Sequence, residues 1–306
     1  IYTRINNPTN DILEQRLADL EGGIAAVVTA SGTSAIATTL LTLLKAGDHI
    51  VASSSLYGGT YNLLSVTLPR HGITTTFVDP SDAENFKTAV QENTRTFFIE
   101  SLGNPKLDVL DIEAISKQAQ SSKVPLIVDN TVATPCLLNP IEHGANIVIH
   151  SLTKYINGNG TALGGAIIDA GTFDWTNGKF PEFTEPSPGY HGLVYSEALE
   201  AAAFIAKIRI EGLRDYGAAL SPFNAFQIIQ GLETLEVRIQ KHSENALLLA
   251  QWLQKQNLVA WVNYPGLENS AYKSLAARYL PRGQSGLVTF GVNGGYDAAK
   301  KIVDTT

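Results

Sequence analysis

Along the first 170 positions, apolar residues fall in short, nearly continuous runs separated by longer stretches with helical spacing. The runs AAVVT (25–29), HIVAS (49–53), TTTFV (74–78), TFFIE (96–100), PLIVD (125–129), NIVIH (146–150) and GGAIID (164–169) predict strands. Several are apolar throughout rather than alternating, as expected for strands covered on both faces. SAIATTLLTLL and DIEAISKQAQ, between them, carry the spacing of helices. This alternation predicts an α/β fold: a mostly parallel sheet sandwiched by helices. Ligands of such sheets gather at the carboxyl ends of the strands.

The texture changes after about residue 172. FDWTNGKFPEFTEPSPGYHGLVY is rich in Pro, Gly and aromatics and predicts a long irregular excursion, of the kind that is functional or mobile. A helical region follows over roughly 196–257, then a strand pair signal (LVAWV, GLVTFGV) and the start of a helix at DAAKKIV. These predict a second, smaller α+β domain, cut off at Thr306. No internal repeat is apparent.

The chain of 306 residues, 44% hydrophobic and 17% charged, is long enough for a large buried core. A net charge of -7 argues against a nucleic-acid surface, and no apolar stretch is long enough to span a bilayer. The single cysteine, Cys136, rules out an intrachain disulfide and reads as a buried small residue. With no signal peptide visible, the expected compartment is the cytoplasm. Methionine is absent altogether, so residues before Ile1 are expected to be missing.

Each central strand run ends on polar chemistry. TFFIE is followed by Ser101, Leu102, Gly103 and Asn104; LIV by Asp129, Asn130 and Thr131; NIVIH by Ser151, Thr153 and Lys154. AVVTA is followed by Ser31-Gly32-Thr33-Ser34 and a helical pattern, a helix start able to hold an anion. Taken singly, each has a plain structural explanation: a helix cap, a loop hydroxyl, a surface lysine, a turn aspartate. Lys154 does not fit an ATP-binding P-loop, whose glycines precede the lysine. Nor does it fit a short-chain dehydrogenase, since Tyr155 follows it directly and no GxGxxG follows an early strand. Asp129 weighs against the bland readings, because a carboxylate ending an apolar strand needs a cation or donors to meet it. An amine, an acid and an anion cradle at one sheet edge form the set that pyridoxal phosphate requires: Schiff base, ring-nitrogen partner and phosphate site.

Seven motifs carry a resemblance along the whole chain: Y-T-R-x-N-N-P-T, L-E-G-G, T-A-S-G, L-Y-G-G-T, the N-P of E-S-L-G-N-P, V-D-N-T and H-S-L-T-K-Y. In this order and spacing the chain resembles the Cys/Met-metabolism family of fold-type I pyridoxal-phosphate enzymes, and within it the O-acetylhomoserine sulfhydrylases. The resemblance implies an aspartate-aminotransferase-like fold in three parts. These are an N-terminal arm over 1–20 reaching a neighbouring subunit, a large cofactor-binding domain over 21–215, and an incomplete smaller domain over 216–306.

It also implies roles. Lys154 is the Schiff-base lysine and proton shuttle, Asp129 pairs with the pyridine nitrogen, and Asn104 bonds the ring hydroxyl. Gly32 and Thr33 offer backbone N–H groups to the phosphate, Ser151 and Thr153 add hydroxyls, and Thr131 joins the cofactor-binding set. Tyr57 stacks on the ring and assists acid–base steps; a Tyr-Gly-Gly turn suits that placement. Tyr2 and Arg4 reach the phosphate of a neighbouring subunit, which implies a homo-oligomer, a tetramer built of dimers. The family's usual Met after Ser-Gly is Thr33 here, a change that backbone donation survives. Its arginine for the substrate carboxylate lies beyond the equivalent of Thr306. Cys136 and His150 match no catalytic role, and His150 reads as a strand-end packing residue.

The implied reaction is γ-replacement, turning O-acetyl-L-homoserine and sulfide into L-homocysteine and acetate, with an amino-acid substrate, a sulfur nucleophile and no metal. The aromatic-rich excursion resembles the matching segment of the sulfhydrylases. Cystathionine γ-synthase, the cystathionine lyases and methionine γ-lyase share the same site. A non-catalytic binding protein on this fold is the alternative of another class.

Overall fold

The computed structural model describes residues 1–305. Strands β1 (Ala25–Thr29), β2 (His49–Ser53), β3 (Thr74–Val78), β4 (Thr94–Glu100), β5 (Leu126–Asp129), β6 (Ile147–Ser151) and β7 (Gly165–Asp169) form one sheet in the order β1-β7-β6-β5-β4-β2-β3. The neighbours from β6 through β3 are parallel, and β7 runs antiparallel to β1 and β6. Every strand expected in this sheet is present, within two residues of its expected bounds.

Side-chain alternation splits these strands between two apolar cores. Val28, Val128, Val148 and Ile168 join Leu13 and Leu17 of α1 (Pro8–Glu21) on one face. Val27, Ile127, Ile149 and Ile167 join Ala35, Ile36 and Leu40 of α2 (Gly32–Leu43) on the other. Helix α1 starts where Asn7 caps the Thr9 N–H with Pro8 at its first turn, and stops at Gly22, whose φ of 74° suits a residue without Cβ. Helix α3 (Ile112–Ser121) begins on the Asp111 cap, which accepts from the Ala114 N–H.

Two expectations about boundaries change. The arm expected over 1–20 includes α1, and α1 packs into the chain's own core, so only residues 1–7 lie outside it. The core also continues across the expected break at 215–216. Leu220, Ala225, Ile228 and Leu232 around α4 (Pro222–Leu232), with Leu235 and Ile239 of α5 (Leu235–Leu253), belong to the large core. A separate cluster begins with Ala246, Ala250, Tyr264 and Leu267, near the antiparallel pair β8 (Val259–Asn263) and β9 (Thr289–Val292) and the final helix α6 (Gly295–Thr305).

The excursion over 173–195 is packed at both ends, while residues 184–192 lie at the surface apart from Ser187. Trp175, Phe180, Phe183 and Tyr195 are buried in the α2-side core, with Trp175 stacked on Phe183 at 4.3 Å between centroids. Glu211 accepts from Ser187 Oγ and Tyr195 Oη, both at 2.8 Å, and pairs with Lys207. Aromatic packing holds the segment where regular hydrogen bonding is sparse.

Candidate active site

Alternation that sends Ile127, Phe98 and Ile149 toward α2 also sends Asp129, Glu100 and Ser151 toward it, one or two residues past the end of each apolar run. The three side chains therefore emerge together at the carboxyl edge of β4, β5 and β6. They line a cleft of about 520 Å³ with Gly32, Thr33, Tyr57, Asn104, Thr131, Thr153 and Lys154. That volume suits a small cofactor with its substrate. Nine of the eleven residues expected at the site thus converge; Tyr2 and Arg4 do not line this cleft. Arg4 donates to the Arg214 carbonyl, and its guanidinium lies 5.1 Å from the centre of the Tyr2 ring.

The anion end is built by α2. Ser31 and Ser34 form a reciprocal capping box, which engages the Ser34 N–H. The N–H groups of Gly32 and Thr33 have no acceptor within the helix. Gly32 also lets the helix approach β6 closely, since a Cβ there would lie 2.5 Å from Ser151 Cβ and 2.9 Å from Ser151 Oγ. Two free N–H groups, a helix dipole and the Ser151 hydroxyl make a cradle for a phosphate. Thr153 differs from expectation: its hydroxyl is engaged with the backbone N–H and carbonyl of Gly164, at 3.2 and 3.3 Å.

The acid end sits on β4 and β5. Thr131 donates its N–H to Asp129 Oδ1 at 2.9 Å and accepts the Ser151 N–H on its hydroxyl at 2.8 Å, tying β5 to β6. Burial pushes the Asp129 carboxyl up, while the Thr131 donors and His150 pull it down. Glu100, opposite Asp129 in the β4–β5 register, is pushed up to about 8, by burial first and then by the Asp129 charge. Among the described residues no Lys or Arg pairs with either acid. A buried acid pair without a cation fits a ligand that brings a protonated nitrogen. The Lys154 amine, in the same cleft, has no hydrogen-bond or ion-pair partner among the described residues, so it is free for covalent attachment.

Sequence reasoning misjudged one residue, overlooked another and saw only part of the role of a third. His150 is not simply a packing residue: it projects away from the cleft, fully buried, and bonds Glu21 Oε1 at 2.5 Å, with Asn130 donating to the same oxygen at 2.9 Å. Cys136 is half-buried rather than buried, and its thiol is pushed up mainly by desolvation. Glu100 was overlooked, although TFFIE ends on a carboxylate just as LIVD does.

The whole chain, residues 1–306, matches the model of the Cys/Met metabolism PLP-dependent enzymes. The chain belongs to that family. It is 55% identical over 99% of its length to the O-acetyl-L-homoserine sulfhydrylase of Leptospira meyeri, covering 71% of that protein. It is 49% identical over 99% of its length to the homocysteine synthase of Schizosaccharomyces pombe, covering 72% of it. Among solved structures, a candidate O-acetylhomoserine (thiol)-lyase from Campylobacter jejuni, containing N'-pyridoxyl-lysine-5'-monophosphate, superposes with a TM-score of 0.96 at 42% identity. That match covers all of this chain and 76% of that one. No helix among the described residues is long and apolar enough to cross a membrane.

Proposed function

We propose that the chain catalyses γ-replacement on O-acetyl-L-homoserine, sulfide displacing acetate to give L-homocysteine. The reading is carried by one observation: an unpaired lysine amine shares a cleft with an aspartate and a helix-start anion cradle, in a chain 55% identical to a sulfhydrylase of that name. As a group transfer, the reaction makes the enzyme a transferase.

Lys154 would hold the aldehyde of pyridoxal phosphate, Asp129 its ring nitrogen and Asn104 its ring hydroxyl. Gly32, Thr33 and Ser151 would hold the phosphate, and Tyr57 would cover a ring face. When bound, the cofactor supplies a ring that takes up electrons released at the substrate carbon. The residues of the chain do the rest. Asp129, whose carboxyl burial pushes up and the Thr131 donors and His150 partly pull back, would face the ring nitrogen and share its proton. Lys154, displaced by the incoming amino acid, would take the Cα proton, pass it on, then take a Cβ proton, and return protons to both carbons after sulfide has added. Loss of acetate from Cγ and addition of sulfide there complete the exchange.

Tyr2 and Arg4, exposed or nearly so at the chain's start, suit contact with the cofactor phosphate of a second subunit in a dimer-built tetramer. A cytoplasmic location accords with the single cysteine, Cys136. Purified protein given O-acetylhomoserine and sulfide is expected to form homocysteine faster than it consumes cystathionine or methionine. Preferred release of pyruvate or 2-oxobutyrate without sulfide would replace this reading with that of a lyase.

A further inference from the structure

Glu100 holds a place that the site roles above leave without a task. It is 4% exposed, at the end of a central strand, yet it forms no ion pair. Its two oxygens point to two different loops. Oε1 accepts the backbone N–H of Tyr57 at 2.6 Å, and Oε2 accepts the backbone N–H of Asn104 at 3.2 Å. Tyr57 opens the short helix Gly58–Asn62 after β2, and Asn104 lies in the loop after β4 itself. The Tyr57 side chain is half exposed, so packing alone does not fix it. A carboxyl group can accept at both oxygens, so one side chain can hold two backbone N–H groups at once.

We propose that Glu100 is a positioning residue for the cofactor: its carboxyl group clamps the Tyr57 loop to the Asn104 loop, and so sets where the stacking ring and the ring-hydroxyl amide meet the flat ring between them. The inference rests on the reading of the cleft as a pyridoxal phosphate site. Its physical basis is the single buried group shared by two loops that contribute opposite kinds of contact, one to a ring face and one to a ring edge. Burial and the neighbouring Asp129 charge push the Glu100 carboxyl up to about 8, which favours its protonated form. A protonated carboxyl still accepts from both N–H groups, so the clamp does not depend on ionisation.

The test compares the parent with Glu100→Ala and Glu100→Gln, all as cofactor-loaded proteins. Thr96→Val serves as a control: Thr96 Oγ1 donates to the Pro125 carbonyl at 3.0 Å on the same strand, away from the cleft. The readouts are the dissociation constant for pyridoxal phosphate and the visible circular dichroism of the bound cofactor, with melting temperature recorded alongside. E100A is expected to raise the dissociation constant about tenfold or more, from the loss of both bonds that hold the two loops together, and to weaken the dichroic band. E100Q offers one acceptor and one clashing amide N–H, so a smaller rise is expected, about threefold. The proposal is overturned if E100A shifts binding and dichroism no more than T96V of matched stability. Should E100A fail to fold, parent-like binding and dichroism in E100Q overturn it equally. Borohydride reduction of the parent separates the two failures, since a parent with no pyridoxyl group on Lys154 sinks the cofactor reading itself.

Discussion

Gly32→Ala is the sharpest probe of the phosphate cradle, because the perturbation is a single carbon with a known place to go. The added Cβ would lie 2.5 Å from Ser151 Cβ and 2.8 Å from Ser151 Cα. Comfortable carbon–carbon contact lies at about 3.5–4.0 Å. The start of α2 must therefore retreat from β6 by about 1 Å, and neither partner is a flexible side-chain end. Overpacking of this kind costs about 1–3 kcal/mol, and at about 2–4 °C per kcal/mol the melting temperature of the cofactor-free protein should fall measurably. The same retreat would stretch the Gly32 and Thr33 N–H bonds to a phosphate beyond hydrogen-bond range. At about 1.5–3 kcal/mol for a bond to a charged group, losing even one weakens binding by roughly 10- to 150-fold. Titration with pyridoxal phosphate, followed by visible absorbance, reads this directly, and inorganic phosphate protection of the apo-protein gives an independent check. If G32A binds the cofactor within about threefold of the parent, the phosphate is not held at the start of α2.

Other outcomes follow from the same geometry. Asp129→Asn removes the charge facing the ring nitrogen, and kcat is expected to fall by about 10²-fold or more with a smaller change in cofactor affinity; unchanged kcat would remove Asp129 from the mechanism. Asp169 accepts from the Gly171 and Ile205 N–H groups, and burial pushes its carboxyl up to about 7. Its folded value exceeds its unfolded value, so its contribution is fully present below the unfolded pKa and is lost as pH rises toward 7 and above. Asp169→Asn should accordingly flatten the fall in melting temperature between pH 5 and 8, and an unchanged slope would refute this. If Arg4 serves a neighbouring subunit, refolding a mixture of inactive Arg4→Ala and Lys154→Ala chains should restore on the order of a quarter of parental activity. No recovery on mixing would place Arg4 in its own chain's site.

The central sheet was legible because its strands are covered on both faces, so runs such as LIVD and IVIHS are apolar until they reach the site. The same physics exposed Asp129: a charge ending such a run needs a partner. It applied equally to Glu100, whose carboxylate ends TFFIE, but the residue's partners are backbone N–H groups from loops 4 and 43 positions away. No side-chain pattern announces a backbone donor. The polar partner of His150 was hidden for a related reason, since Glu21 lies 129 residues earlier on the far face of the sheet. The packing of 173–195 was hidden too. Its aromatics follow neither helical nor strand spacing, and their burial depends on Phe204 and other residues that follow the segment. The packing across the expected boundary at 215–216 was hidden because α4 looks like a new helical region yet packs against α1.

Borohydride reduction followed by peptide mapping tests the central claim most directly. Protein loaded with pyridoxal phosphate and reduced should yield one pyridoxyl-modified peptide, carrying the group on Lys154 within HSLTKYINGNG, and Lys154→Ala should yield none. A reduced group on any other lysine, or no stable adduct in the parent, would contradict the account.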